Sequence, residues 1–468
     1  ELDGETVKDV RLGTGYLHTG IEKSMEFRTY NQGVAYCSRM DYVAPFFQEV
    51  AWVLAVEKAL GITDQIPTRA SEIRVLLMEL NRIASHLVAI GTGANELGAT
   101  TMLTTAFRAR EEILRIFEHI TGLRMNNSYM RVGGVANDIP DDTVAMIREK
   151  LPLIKRDMEE MVDLVMANPI FMMRMKGVAY MPLSAMLALG LTGPCVRAAG
   201  LPMDLRKTQP YCGYETYSFD VPTREHSDCY TRTEVRVAEM RQSLRIVYQV
   251  LDRLEASKGQ DVQVADKKIA YPSKLTIGAD GQGQDPQHVA KIMGSSMEEL
   301  IHHFKLVTEG FLIPPGQVFQ MVEHAKGVIG VHLVTDGGTH PYRAHFRDPS
   351  YSNLQSASMM CEGGLIADLV VAIGSIDPVF GILHFSWKLL FEYSEDVTAN
   401  EALFGRNSCA PRKRGPGNHC PLSPGPPAFC LAADAAPGPV RGRFCFGQRY
   451  RALCPGTGSE PRRGQRGR

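Results

Sequence analysis

The first candidate for chemistry is a tyrosine at the edge of an apolar segment. Arg39-Met40-Asp41-Tyr42 stands where a loop enters that segment. A tyrosine in this position presents an apolar ring and one hydroxyl, which suits a hydrogen bond to the carbonyl of a ligand. The alternative is a buried tyrosine whose hydroxyl bonds to the backbone.

The second candidate is a carboxylate among glycines. Glu96 lies in the run Gly91-Thr92-Gly93-Ala94-Asn95-Glu96-Leu97-Gly98. Glycines let another backbone or a ligand approach closely. Glu96 could orient a proton donor or balance a nearby cation, or it could be a solvated acid at the end of a helix.

Other polar patterns are weaker. Glu79, Arg82 and His86 follow i, i+3, i+7 spacing, which favours a solvent-facing or inter-helix polar network. The segment 204–211 combines a basic pair with a proline and could hold an anion or dock a partner. His302 and His303 are adjacent, so on a helix they point about 100° apart and make a poor metal pair.

The cysteines predict no metal site. Five lie in the first 381 residues, and none forms a Cys-x-x-Cys pair, so a metal or cluster held by this chain is not expected. Scattered thiols are typical of small buried hydrophobes in a reducing compartment. No Gly-x-Gly-x-x-Gly or Walker loop is present, so no dinucleotide site is predicted either.

These residues must be positioned by a largely helical body. Residues 1–40 alternate apolar and polar groups around glycines, which predicts short strands and loops, and 257–290 reads as a polar surface loop. Apolar periodicity predicts a β-rich stretch at 328–333 and 342–346, and helices at 42–60, 70–91, 101–121, 140–167, 229–256 and 296–310. The fold class is therefore α+β, with an antiparallel helical bundle at the centre.

Charge and composition separate the body from a C-terminal tail. Residues 382–468 hold 13 Lys and Arg against 6 Asp and Glu, which leaves 38 basic and 46 acidic residues before them. That acidic balance argues against a dedicated nucleic-acid binder. Residues 409–468 contain 10 Pro and 10 Gly, a composition that predicts disorder. A basic nucleic-acid-binding extension is conceivable, but out-of-frame or misassigned sequence explains the tail better.

Neither end of the chain predicts membrane insertion. No apolar run approaches the ~20 residues needed to cross a bilayer, and no signal pattern opens the sequence. Because the chain begins at Glu1 without Met, we expect it to be cut at its N-terminus.

Taken in order, the motifs match one family. The chain resembles the 49-kDa-type subunit (the D-type subunit) of proton-pumping NADH:quinone oxidoreductase, respiratory complex I, over residues 1–381. The matching segments include 15–23, 28–30, 39–42, 55–58, 131–135, 204–211, 219–222, 239–243, 296–305 and 375–378.

The resemblance implies a fold shared with the large subunit of nickel–iron hydrogenases. It divides the chain into a truncated N-terminal α/β portion (1–40), a central helical bundle (41–256), the polar loop (257–290), a C-terminal α/β portion (291–381) and a non-family, disordered tail (382–468).

The resemblance also implies a site for quinone, the substrate. Tyr42 matches the family's quinone-binding tyrosine, Val88 and Thr92 match positions that line the headgroup pocket, and Glu96 matches an acid paired with a second headgroup ligand. That ligand is a histidine in a His-Pro-x-x-His-Gly loop that would precede Glu1. Thr19 stands where some relatives have an arginine, so no role of that arginine is transferred.

Partners and location follow from the same resemblance. Electrons would come from an iron–sulfur cluster in the adjacent B-type subunit, and other peripheral-arm subunits and the membrane arm would be partners. This chain would lie at the cytoplasmic face of the bacterial cell membrane, as a peripheral subunit of the complex. Activity is expected only within the complex.

Two alternatives remain at this stage. An energy-converting hydrogenase large subunit would carry thiols after Asp377-Pro378, where this chain continues Val379-Phe380-Gly381, and nickel needs such soft ligands. A non-catalytic scaffold that only docks to the iron–sulfur subunit is the other alternative, because the histidine loop is missing.

Overall fold

Four long antiparallel helices form the centre of the computed structural model, which describes residues 1–266, 269 and 297–382. They are α4 (Thr68–Glu96), α5 (Thr100–Thr121), α6 (Thr143–Met166) and α11 (Cys229–Ala256). All described residues fall in the first of the two units into which the chain divides, Glu1–Glu401.

Polar contacts between the helices show their directions. Early residues of one helix pair with late residues of its neighbour at three interfaces of the bundle, as antiparallel packing requires. The pairs are Arg108–Asp157 and Lys150–Glu112 between α5 and α6, Arg148–Asp252 and Arg241–Glu159 between α6 and α11, and Ser257–Glu72 and Ser243–Glu79 between α11 and α4. The prediction of an antiparallel bundle is confirmed.

A further helix, α3 (Pro45–Leu60), joins the bundle to a sheet. All of its residues from Pro45 to Glu57 are buried, and most of them are apolar. The helix packs against both α4 and the strands of that sheet. Proline at its first position suits a helix start, and Gly61 ends it in the left-handed conformation with φ 72°. The predicted helix over 42–60 therefore begins three residues later than expected.

The sheet consists of β5 (Gly316–His324), β6 (Gly327–Thr335) and β7 (Arg343–Arg347), paired antiparallel in that order. Val331 pairs with Gln320 on one side and with Phe346 on the other. The turn between β5 and β6 carries His324 and Lys326, both buried, towards α4. This turn supplies the base of the candidate site.

The first 40 residues differ from the prediction of strands and loops. Only β1 (Leu2–Asp3) and β2 (Thr6–Val7) pair there, whereas α1 (Ile21–Met25) and α2 (Tyr30–Cys37) are helices. Thr29 caps α2 by accepting a hydrogen bond from the Gln32 backbone, and Gln32 returns one. An eight-residue helix is too short for periodicity to reveal, but this capping box was a readable signal.

Shorter elements connect these parts. They are β3 (Met130–Arg131), β4 (Gly134–Val135), α7 (Pro169–Met175), α8 (Leu183–Ala188), α9 (Pro194–Ala198), α10 (Leu205–Thr208), α12 (Met297–Thr308), α13 (Pro349–Leu354), α14 (Ala357–Cys361) and α15 (Ile366–Ser375). No helix among the described residues is long and apolar enough to span a membrane.

Most helix predictions hold within a few residues. The prediction for α11 is confirmed at both ends, and α4 is longer than predicted at both of its ends. The helix predicted over 140–167 begins three residues later, since α6 starts at Thr143. Most of the predicted loop 257–290, from 267 onwards except 269, lies outside the described residues, as do the predicted start of the 296–310 helix and the tail from 383.

Candidate functional site

Tyr42 stands at the surface, in the turn that precedes α3. Its side chain is 44% exposed, so the alternative of a buried tyrosine is wrong. Gly381 packs against its ring: a Cβ at position 381 would lie 3.0 Å from Tyr42 Cε1 and 2.7 Å from Met40 O. Only glycine permits so close an approach, and the ring is held on one side while the tyrosine remains accessible.

Asp41 anchors this turn from beneath. Its Oδ1 accepts hydrogen bonds from the backbone of Val43 at 2.9 Å and Ala44 at 3.1 Å. Its Oδ2 lies 2.7 Å from Lys326 Nζ and 3.3 Å from His324 Nε2. Burial alone would raise the Asp41 pKa, but Lys326 and His324 hold that pKa well below its usual range. Asp41 is therefore a buried carboxylate paired with the charged Lys326, and the Tyr42 turn is fixed from beneath.

Lys326 joins the Tyr42 turn to α4. Besides Asp41, its Nζ donates to Ser85 Oγ at 3.2 Å. Burial opposes the charge on Lys326, yet Asp377 and Asp41 raise its pKa above the ordinary value. Ser85 lies about one helical turn before Val88. The contacts of Lys326 therefore bring the Tyr42 turn near the Val88 part of α4.

Val88, Thr92 and Glu96 follow one another at four-residue spacing along one face of α4, which we call the α4 stripe. The helix continues through Gly91 and Gly93 to Glu96, so the predicted helix end at Gly91 is wrong. Thr92 Oγ1 donates to the carbonyl of Val88 at 2.7 Å, which satisfies its hydroxyl within the helix. Val88 is half-buried, and Thr92 and Glu96 are exposed. From Val88 to Glu96 the stripe extends about 12 Å.

The segment from α15 to Gly381 lies near both Glu96 and Tyr42. Gly374 and Ser375 line a narrow cleft with Glu96, and Asp377 Oδ2 lies 3.8 Å from Lys326 Nζ. Gly381 then reaches the Tyr42 ring. No hydrogen bond joins Tyr42 to Glu96 in the described part of the chain.

An apolar cleft of about 330 Å³ adjoins the Tyr42 end. Phe380, next to Gly381, lines it together with Leu354, Ile373 and the loop 12–17. Its size falls within the range of small-molecule sites, which are mostly apolar with a few polar groups. Sequence reasoning missed this cleft, because its walls come from three distant segments of the chain.

The polar pattern in the part of α4 up to His86 is an internal network. Glu79, Arg82 and His86 are buried, so the solvent-facing alternative is wrong and the inter-helix alternative is confirmed. Glu79 accepts hydrogen bonds from Arg206 Nη1 at 3.1 Å, Tyr214 Oη at 2.6 Å and Ser243 Oγ at 2.6 Å. The basic pair predicted to hold an anion or a partner therefore uses Arg206 inside the protein.

Arg197 and His86 extend this network towards the sheet. Arg197 binds Glu239 and Glu323, each at 2.7 Å, and His86 Nε2 lies 2.9 Å from Glu239 Oε2. Burial lowers the pKa of His86 to about 4, so the imidazole is neutral at physiological pH. Arg197 and Glu323 were not identified from the sequence, since their spacing along the chain gives no sign of contact.

The fold and the site together define a class of protein. This class is a helical-bundle subunit in which a half-exposed tyrosine is fixed over a buried ion pair, beside an apolar cleft. Within the described residues no group of His, Cys, Asp and Glu could hold a metal ion, and the five cysteines there are free thiols.

Comparison with known proteins identifies the family. The model of the respiratory-chain NADH dehydrogenase 49 kDa subunit matches residues 96–384. The D-type subunit of NADH-quinone oxidoreductase from Nocardia farcinica is 58% identical over 381 residues, which cover 81% of this chain and 83% of that protein. A D-type subunit of the same enzyme from Streptomyces avermitilis is 60% identical over 381 residues, covering 81% and 85%.

The chain belongs to the family of the 49 kDa, or D-type, subunit of respiratory NADH dehydrogenase. The family predicted from the motifs is confirmed, and the α+β class agrees with the structure. The finer likeness to hydrogenase large subunits stays a prediction. The family match ends at residue 384, and the assignment of 382–468 as non-family sequence also stays a prediction.

Proposed function

We propose that this chain forms the quinone-reduction site of a proton-translocating NADH:quinone oxidoreductase, as a peripheral-arm subunit active only within the complex. Tyr42 binds the headgroup at one end of the α4 stripe, Val88 and Thr92 line the pocket, and Glu96 lies at the far end. The observation that carries the proposal is the exposed Tyr42 fixed over the Asp41–Lys326 pair.

The chemistry required of this chain is modest. Reduction of a quinone to the quinol takes two electrons and two protons, and the quinone oxygens become more basic as electrons arrive. Tyr42 stabilises that developing charge by donating a hydrogen bond or a proton, which is most effective when the donor is held in place beforehand. The ion pair beneath the turn provides that fixed position.

The electron donor lies outside this chain. An iron–sulfur cluster in the adjacent B-type subunit supplies the electrons, and other peripheral-arm subunits and the membrane arm complete the enzyme. This chain and the other peripheral-arm subunits lie at the cytoplasmic face of the bacterial membrane. The apolar cleft beside Phe380 suits an apolar substrate on its way to Tyr42, because its walls are mostly hydrocarbon.

The test is Tyr42→Phe in the assembled complex. We expect quinone reduction by NADH to fall at least about tenfold, because the hydroxyl donor is lost while the ring remains. NADH oxidation by ferricyanide, which does not require the quinone site, should be unchanged. Tyr180→Phe is the matched control, since Tyr180 is also exposed and lies outside the site. Normal quinone reduction by Tyr42→Phe would refute the proposal.

A further inference from the structure

Arg236, on α11, is a buried arginine without hydrogen bonds in the described part of the chain. Its side chain is only 3% exposed, and its Nε has no partner there. The Nε of Arg232, one turn earlier, also lacks a partner, but the terminal nitrogens of Arg232 donate to Ser375 Oγ and to two backbone carbonyls at 2.7–3.0 Å, whereas Arg236 has no such bonds among the described residues. An unpaired buried cation is costly, so Arg236 requires an acceptor.

The narrow cleft at the Glu96 end offers the first acceptor. Arg236 and Glu96 line it together, from α11 and α4 respectively, with the hydroxyls of Thr233 and Ser375 between apolar walls. The cleft has room for about one water molecule. Glu96 is exposed and without a described hydrogen bond, so its carboxylate is free to turn towards Arg236.

Asp377 offers the second acceptor. Its Oδ2 is buried and lacks a hydrogen-bond partner among the described residues. Asp377 lies two residues after Ser375, which lines the cleft together with Arg236. Burial raises the Asp377 pKa, while the positive charges of Lys326 and Arg236 oppose that rise. Arg236 therefore has two candidate carboxylate partners, Glu96 and Asp377. The nearby His86, neutral at physiological pH, contributes no competing charge.

We propose that Arg236 is a positioning residue of the quinone site, shared between the carboxylates of Glu96 and Asp377 directly or through one water molecule. This inference rests on the proposed function. Asp377 faces Lys326, and Lys326 binds Asp41 beneath Tyr42. A change of charge at Glu96 therefore alters the hold of Arg236 on Asp377, and it reaches Tyr42 through contacts that already exist.

A double-mutant cycle in the assembled complex tests this inference. Arg236→Gln should lower the kcat of quinone reduction about tenfold, within the usual range of coupling between sites, with little change in KM because Arg236 does not face the headgroup. Arg236→Lys should restore most of the rate because it keeps the charge. Combined with Glu96→Gln, Arg236→Gln should cost no further activity, since the two residues act through one pairing.

The controls separate this inference from the proposed function. Arg245→Gln removes an exposed arginine on the same helix and should leave quinone reduction unchanged. A rate for Arg236→Gln within twofold of wild type, or effects of Arg236→Gln and Glu96→Gln that simply multiply, would overturn the inference. If Tyr42→Phe, prepared in the same way, still lowers quinone reduction at least about tenfold, the proposed function stands even when the inference about Arg236 fails.

Assembly is checked by NADH oxidation with ferricyanide. If Arg236→Gln does not assemble, the cycle is run with Arg236→Lys. If Arg236 is shared between the two carboxylates, Arg236→Lys should lower the rate of quinone reduction two- to threefold when Glu96 is present. It should cause no loss when Glu96 is replaced in Glu96→Gln, because the pairing is already absent. An equal loss in both backgrounds would overturn it.

Discussion

The part of α4 up to His86 and the part from Val88 onwards treat their polar groups in opposite ways. In the part up to His86, Glu79 and His86 are buried and paired with residues of α10, α11 and the loop at Tyr214. In the part from Val88, Thr92 and Glu96 are exposed, and Arg236, a buried cation that lines a cleft with Glu96, has no described hydrogen bond. One helix thus supplies a fixed base and an adaptable edge.

This difference suggests a division of labour. Charges that are paired in a low-dielectric interior hold one geometry, because any movement exposes an uncompensated charge. Groups that lack partners can take new ones at little cost. We therefore expect changes at the buried, paired residues of α4 to affect stability, and changes on the α4 stripe to affect quinone reduction.

The largest effect is expected from breaking the pair beneath Tyr42. Lys326→Met leaves Asp41 buried without its main cation, and it should lower the free energy of unfolding by about 3–5 kcal/mol. Denaturant unfolding of the purified chain measures this change. Lys8→Met breaks an exposed pair with Asp3 and should change stability little. A small effect at Lys326 would contradict the idea of a fixed base.

The second prediction concerns pH and His86. The unfolded chain binds a proton at His86 near pH 6.5, whereas burial lowers the folded-state pKa to about 4. Between these values the unfolded state holds more protons, so stability falls as the pH drops, by an amount on the order of 3 kcal/mol from this residue.

Comparison with His86→Gln isolates that contribution. The free energy of unfolding of the wild type should fall more steeply than that of His86→Gln between pH 6.5 and 4. Urea unfolding at several pH values provides the slopes. Equal slopes would show that His86 is not buried in its neutral form.

The smallest effect on stability is expected at Thr92. Its hydroxyl bonds only to the backbone of its own helix turn, so Thr92→Val should change the free energy of unfolding by less than about 0.5 kcal/mol. We expect the KM for quinone to rise severalfold, because the pocket loses a polar group. A loss of stability without a change in KM would place Thr92 among the structural residues instead.

The sequence predicted the long elements better than their partners. The bundle followed from apolar periodicity over four helices of more than twenty residues, which tertiary packing reinforces. The helices of the first 40 residues were missed because they are short. Tyr42 and Glu96 could be singled out by residue type and position, and their assigned roles came from the resemblance to the family.

The missing information was long-range. Lys326 meets Asp41 only through the fold, and nothing in their separation of 285 residues indicates contact. The solvent-facing alternative for Glu79 and His86 failed because α11 and the sheet both cover that face of α4. Arg236 could not be identified from sequence, since its signal is an absent hydrogen bond in the described structure.

The central claim is that quinone binds along the α4 stripe with its headgroup at Tyr42. Photolabelling of the assembled complex with an azido-quinone, followed by mass spectrometry of this chain, tests it most directly. We predict labels on peptides that contain Tyr42 and the 88–96 turn, displaced by excess quinone. Displaceable labels confined to other parts of the chain, with none on these two peptides, would contradict the claim.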